Sequence, residues 1–210
     1  MMPASRRKAE WLYDGRAHAE AEVKVEISRS EYARLQRRLA KLGFAPLAPQ
    51  QITDYYLSRR RSRSGGWDFV RLRHVEGRGW WLTRKTWVGT ADGGWVREER
   101  EERVLRARGL QMAEAVPERN VLRKTRLNFR GVAEGLRATA SLDGVHLGEN
   151  RRYFLECEVR ALAAAYAETR ANIRRWQKVS LHLSDRPEAP SMLELLLAHR
   201  PTKESRPPDC

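Results

Sequence analysis

The chain has 210 residues, 32% charged and 41% hydrophobic, which suits one folded domain with a sizeable core. Lys and Arg number 41 against 27 Asp and Glu, a formal charge of +14, so an anionic partner is expected: nucleic acid, an anionic membrane surface or a small polyanion. Two cysteines, Cys157 and the final Cys210, exclude a disulfide framework. No run approaches the roughly 18 apolar residues that span a bilayer, and no apolar segment follows the basic N-terminus, so a cytoplasmic protein without a membrane partner is expected.

In chain order, residues 1–18 read as a basic N-terminal segment, 19–200 as one domain and 201–210 as a disordered, proline-rich tail. From Ala19 to Ile27 charged and apolar residues alternate, the signature of a strand with one face of each kind. Ser28 with Glu31 forms a capping box, and Tyr32, Leu35, Leu39 and Leu42 keep helical spacing up to Gly43. Strands follow at Ile52–Ser58, Trp67–His74 and Trp80–Trp87, with a turn at Glu76–Gly79. A turn at Gly89–Gly94, holding Asp92-Gly93, leads to a strand at Trp95–Arg103, and a short helix is expected at Gly109–Val116. Further strands are expected at Asn120–Phe129, Leu136–Asp143 and Arg152–Val159. Leu162, Tyr166, Thr169, Ile173 and Trp176 then mark a helix, and Ser191–His199 a shorter one. The eight mainly antiparallel strands are enough to close a barrel and remove exposed edges.

Several strands place strong charges at two-residue spacing with apolar residues between them: Glu20, Glu22 and Lys24; Arg71 and Arg73; Arg97, Glu99 and Glu101; Lys124 and Arg126; Glu156 and Glu158. A solvated sheet face accounts for any one of them. As a set, the first and last strands carry paired carboxylates and the strands between carry mainly Arg and Lys. With those faces turned inward, an acidic cluster stands opposite a basic wall, and such charges must be compensated. Hard divalent cations suit the carboxylates, phosphate oxygens suit the guanidinium groups, and a metal-bound polyphosphate satisfies both.

These residues resemble the CYTH domain of the triphosphate tunnel metalloenzymes. Glu20-Ala-Glu22-Val-Lys24 matches that family's ExExK signature, Arg71-Leu-Arg73 its paired-arginine strand, and Leu82-Thr-Arg-Lys85 the strand after it. Arg97-Glu-Glu99-Arg-Glu101 resembles RxExE, Lys124-Thr-Arg126 matches KxR, and Ser141-Leu-Asp143-Gly-Val145 matches the late aspartate strand. Glu156-Cys-Glu158 resembles the closing ExE, and Ser191–Leu196 the final helix. The segment Glu149–Phe154 departs from the family by being longer and more basic. Trp67, Trp80, Trp81, Trp87 and Trp95 form no family signature; packing between strands and helices is their expected role, with stacking on a base or thiazole ring as the alternative.

The resemblance implies an α+β fold: an eight-stranded, mainly antiparallel closed β-barrel, the triphosphate tunnel, with flanking helices. It implies Mg2+ or Mn2+ held by Glu20, Glu22, Asp143, Glu156 and Glu158, with Glu99 as an addition. Arg71, Arg73, Lys85, Arg97, Lys124 and Arg126 would grip phosphates. Lys24 would be catalytic, with Tyr56, or equally Tyr55, as a partner; surrounded by cations, its pKa is expected to fall toward neutrality, so that it accepts a proton from the attacking water, the alternative role being a phosphate contact. Three functions fit: a metal-dependent triphosphatase acting on a small triphosphate (inorganic, thiamine or nucleoside), an adenylate cyclase of the class that uses the same tunnel, or a non-catalytic binder of polyphosphate or RNA. The triphosphatase is preferred, because anion binding alone would not retain so many carboxylates. The absence of a Walker loop, a GxSxG turn and zinc-type spacing among the five histidines removes other common enzyme classes.

Overall fold

The computed structural model describes residues 18–61, 67–91, 94–162 and 165–199, apart from the side chains at 18–20, 67, 87–98 and 160–162. The basic N-terminal segment, the Asp92-Gly93 turn and the tail lie outside these residues. The strands are β1 (His18–Ile27), β2 (Ala45–Pro46), β3 (Gln50–Arg61), β4 (Trp67–Val75), β5 (Gly79–Ala91), β6 (Gly94–Val104), β7 (Val121–Ala133), β8 (Leu136–Leu147) and β9 (Asn150–Leu162). The helices are α1 (Arg29–Lys41), α2 (Arg106–Glu114), α3 (Tyr166–Val179) and α4 (Met192–Ala198). The fold is α+β, with the strands in one nine-stranded antiparallel sheet of order β1-β9-β8-β7-β3-β4-β5-β6, the two-residue β2 pairing off this path with β7.

Local chemistry accounts for α1. Ser28 Oγ accepts from the Glu31 amide at 3.2 Å while the Glu31 carboxylate accepts from the Ser28 amide at 2.8 Å, so two orphan donors are satisfied at its start. Gly43, at φ 81°, takes the left-handed turn just past its end, where a side chain would be strained. Ser191 and Glu194 repeat the capping box on α4.

Period-two alternation then sorts the strands into two faces. Ala21, Val23 and Val25 of β1, Leu155 and Cys157 of β9, and Ala140 and Leu142 of β8 form an apolar face packed against Leu35 and Leu39 of α1 and Ile173 and Trp176 of α3. Farther along, Leu72, Trp80, Leu82 and Val104 pack with Met112 and Ala113 of α2. A Cβ on Gly109 would sit 2.6 Å from the Trp80 ring, so this approach of helix to sheet requires glycine. Trp80 is therefore a packing residue, as expected. The opposite face carries the charges. At one end it becomes apolar (Tyr56, Phe69, Leu122, Val145, Leu147, Phe154), and there Met192, Leu193, Leu195 and Leu196 of α4 cover it.

The expected closure of the barrel is not seen in the pairing. Among the described residues no ladder joins β1 to β6. The free edge of β1 is used by another segment: the Glu22 carbonyl accepts from Arg170 Nη1 at 2.8 Å, the Lys24 carbonyl from the Ala189 amide at 2.9 Å, and the Glu26 carbonyl from Arg186 Nη1 at 2.7 Å. A strap after α3, together with Arg170 of α3, thus satisfies the acceptors that a β6 partner would otherwise take, and protects the edge. Arg170 and Arg186 are in turn paired with Glu188 and Glu31.

Candidate functional site

Antiparallel register brings the charged residues together across strands far apart in sequence. On β1 and β9, Glu22 lies opposite Glu158 and Lys24 opposite Glu156. Ser141 of β8 follows Glu156, and Asp143 faces Arg126 of β7. On β3 and β4, Asp54 is opposite Arg73 and Tyr56 opposite Arg71; Arg71 in turn faces Thr83 of β5. Thr83 faces Glu101, and Lys85 faces Glu99, on β6.

Side-chain contacts join these into two clusters. In the first, Lys24 Nζ lies 2.9 Å from Glu156 and 3.4 Å from Glu22. Arg126 makes a fork to Asp143, with Nε and Nη2 both at 2.7 Å, and reaches Glu156 at 3.0 Å. Lys124 Nζ completes the group, 2.9 Å from Asp143 Oδ2. In the second, Arg73 forks onto Asp54 at 2.7 and 2.9 Å, with Arg71 Nε 3.6 Å from the same carboxylate. Arg71 Nη2 donates to Thr83 at 3.4 Å, Thr83 donates to Glu101 at 3.2 Å, and Lys85 lies 2.6 Å from Glu99. Lys124 is 2% exposed and Asp54 and Asp143 are 0% exposed, so these charges interact with little solvent screening.

The expectation about the protonation of Lys24 changes. Burial opposes the charge on Lys24, but the carboxylates of Glu156 and Glu22 more than reverse this and hold its pKa above the ordinary lysine value. The expected depressed lysine is instead Lys124, brought down to about 7 by burial and by Arg126, with Asp143 acting the other way. Burial raises the carboxyls of Asp143 and Glu156, yet Arg126 with Lys124 and Lys24 holds both below their ordinary values. Tyr56 is pushed up to about 12 by burial and by Asp54, so its hydroxyl stays protonated; its ring packs 5.6 Å from Phe69.

Of the residues singled out in sequence, Glu22, Lys24, Lys124, Arg126, Asp143 and Glu156 thus meet in one cluster, and Arg71, Arg73, Lys85 and Glu99 in the other. Glu158 joins by register opposite Glu22. The side chains of Glu20 and Arg97 lie outside the described residues. Sequence reasoning missed Asp54 and Thr83 as members, and it placed Glu101 on the charged face without giving it a role. Asp54 had a signal, an acid sharing strand parity with Ile52 and Tyr56, but it lacked a second charge at two-residue spacing.

The donor set suits an anion: Arg71 Nε is buried without a hydrogen-bond partner, a cost that a phosphate oxygen would relieve. A cavity of about 800 Å³ borders Lys124, lined by Arg119, Arg123, His146 and His199 and also by Glu76 and Glu118, the last paired with Arg123. For a divalent cation the fit is partial. Among the described residues no three acidic or imidazole groups converge as a ready cage. Glu22 and Glu158, however, stand directly opposite each other, a like-charge pairing that a hard cation would stabilise.

Among solved structures the chain resembles the PH1819 protein from Pyrococcus horikoshii OT3, with a TM-score of 0.60 at 18% identity over 86% of this chain and 99% of that one. It also resembles HpAC1 from Hippeastrum, described as a putative adenylyl cyclase that reveals a dominant triphosphatase activity, with a TM-score of 0.59 at 14% identity over 89% and 98%. At these identities the likeness is one of fold. No curated protein matches in sequence. The family profile described as the CYTH domain matches residues 18–177, most of the chain and every charged strand, and the protein therefore belongs to the CYTH domain family.

Proposed function

We propose that this chain hydrolyses a small triphosphate on the charged face of its sheet, with Mg2+ or Mn2+ as cofactor. The observation that carries the reading is the basic array of Arg71 and Lys124, which are buried, and Arg73 and Arg126, which are partly buried, with Arg71 Nε completing no hydrogen bond. A polyanion is the ligand that such a donor set favours. Lys85 and Arg97 are assigned to the phosphates as well. Glu22 and Glu158, with Glu20, are the residues that would hold the metal, and Glu99, Asp143 and Glu156 are the further candidate ligands. Bound there, the cation would neutralise phosphate charge as it develops during attack by water. Lys24 enters this scheme as an ammonium group between Glu22 and Glu156, suited to a phosphate oxygen rather than to taking a proton. Tyr56 is assigned a place beside it as a hydrogen-bond donor. The enclosed barrel expected from the resemblance is kept in modified form, with the β1 edge closed off by the strap instead of by β6.

The fold likeness to HpAC1, whose described activity is dominantly that of a triphosphatase, supports hydrolysis over cyclisation. The test is phosphate release from inorganic triphosphate, thiamine triphosphate and ATP with Mg2+ or Mn2+, comparing wild type with Glu22→Gln and Lys24→Ala. Metal-dependent release lost in both variants supports the reading, and the preferred substrate names the enzyme. Cyclic AMP formed from ATP without phosphate release identifies a cyclase instead, and binding without any turnover identifies a polyphosphate or RNA binder.

A further inference from the structure

Asp54 is a full charge on a buried stretch of strand face, with Ile52 before it and Tyr56 after it. Its carboxylate is 0% exposed, and taking it out of water is costly unless every lone pair is used. Its partners are the two arginines of β4. Arg73 gives it Nε and Nη2 at 2.7 and 2.9 Å, and Arg71 turns Nε toward it at 3.6 Å without completing a hydrogen bond. The Arg73 fork is planar and bidentate, so it fixes the plane of that guanidinium as well as its distance. An arginine has five N–H donors, and the fork uses two, so the remaining donors of Arg73 are presented in one orientation.

Charge neutralisation alone does not account for this geometry. Arg71 and Arg73 are two buried or half-buried cations around one carboxylate, so Asp54 leaves an excess of positive charge while fixing its direction. A fixed donor plane lowers the entropic cost of gripping an anion, because the side chain is already ordered before the ligand arrives.

Resting on the triphosphate reading, we infer that Asp54 is a positioning residue, which holds Arg73 and steers Arg71 so that their free donors meet the phosphate chain. It touches no substrate and acts through the two arginines.

The experiment is calorimetric titration of the full chain with inorganic triphosphate and Mg2+, alongside the phosphate-release assay, for wild type, Asp54→Asn, Arg73→Gln and the double variant. Asp54→Asn is expected to weaken binding by about tenfold or more and to raise KM with kcat little changed, because the loss lies in ligand capture. Since Asp54 acts through Arg73 as well as through Arg71, the double variant is expected to lose less affinity than the product of the two single losses. Binding by Asp54→Asn equal to or tighter than wild type, or losses that multiply in the double variant, overturns the inference while leaving the triphosphate reading intact. No binding by wild type overturns both. Should Asp54→Asn lose its far-ultraviolet circular dichroism, Arg73→Lys decides: it keeps the charge and gives up the fork, so about tenfold weaker binding is expected, and wild-type affinity refutes the positioning role.

Discussion

Arg126 stands where β7, β8 and β9 meet, and Arg126→Met removes its charge at similar volume. The side chain donates three hydrogen bonds, two to Asp143 and one to Glu156. Asp143 is 0% and Glu156 8% exposed, so neither carboxylate can turn to water when its partner goes. Breaking a buried ion pair from one side costs about 3–5 kcal/mol. Lys124 remains on Asp143 and Lys24 on Glu156, which argues for the lower end, near 3 kcal/mol of a typical total of roughly 5–15. Urea unfolding at pH 7, followed by tryptophan fluorescence, measures this directly. The pH dependence adds a second check. Both carboxyls have folded pKa values below their unfolded ones, so their contribution is complete above the unfolded values, about 4, and is lost as pH falls through the folded ones. The gap between wild type and variant should therefore narrow as pH drops below about 4. A loss under about 1 kcal/mol at pH 7, or a gap that stays constant down to pH values where both proteins still fold, would refute the buried-pair account.

The two lysines of the first cluster should titrate far apart in the metal-free protein. Heteronuclear NMR of lysine side chains is expected to find Lys124 changing charge near pH 7 and Lys24 still charged above the ordinary lysine range; similar midpoints for the two would refute the assigned surroundings. Gly109→Ala should lower the melting temperature, although glycine to alanine inside a helix ordinarily gains about 1 kcal/mol. Here the new Cβ would meet the Trp80 ring at 2.6 Å, and overpacking of this kind costs about 1–3 kcal/mol. Arg186→Ala removes the contacts to the Glu26 carbonyl and to Glu31, so the Ala189 amide, bonded to the Lys24 carbonyl, should exchange with solvent faster. Unchanged exchange at Ala189 would mean that the strap is held by other contacts.

Much of the fold was legible because its signals are local. The alternation from Ala19 to Ile27 marks β1, and Ser28 with Glu31 and Gly43 marks both ends of α1. The charged members of the site were also legible, since period two puts Lys124 and Arg126, or Glu156 and Glu158, on one face whatever the neighbours are. The closure of the barrel was not legible. It depends on whether β1 spends its free carbonyls on β6 or on Arg170, Ala189 and Arg186, which lie some 150 residues away along the chain. Nor was the protonation of the lysines. Lys24 and Lys124 look alike in sequence, each beside another charge at two-residue spacing, yet one sits between two carboxylates and the other is buried beside Arg126. Asp54 was hidden for the same reason, because its partners Arg71 and Arg73 are supplied by a different strand. Strand periodicity is a property of neighbours in the chain, and the sequence by itself determined which residues share a face. A pKa, a buried fork or a capped edge depends on charges and hydrogen-bond partners brought within a few ångströms by pairing, and only the tertiary structure decided those.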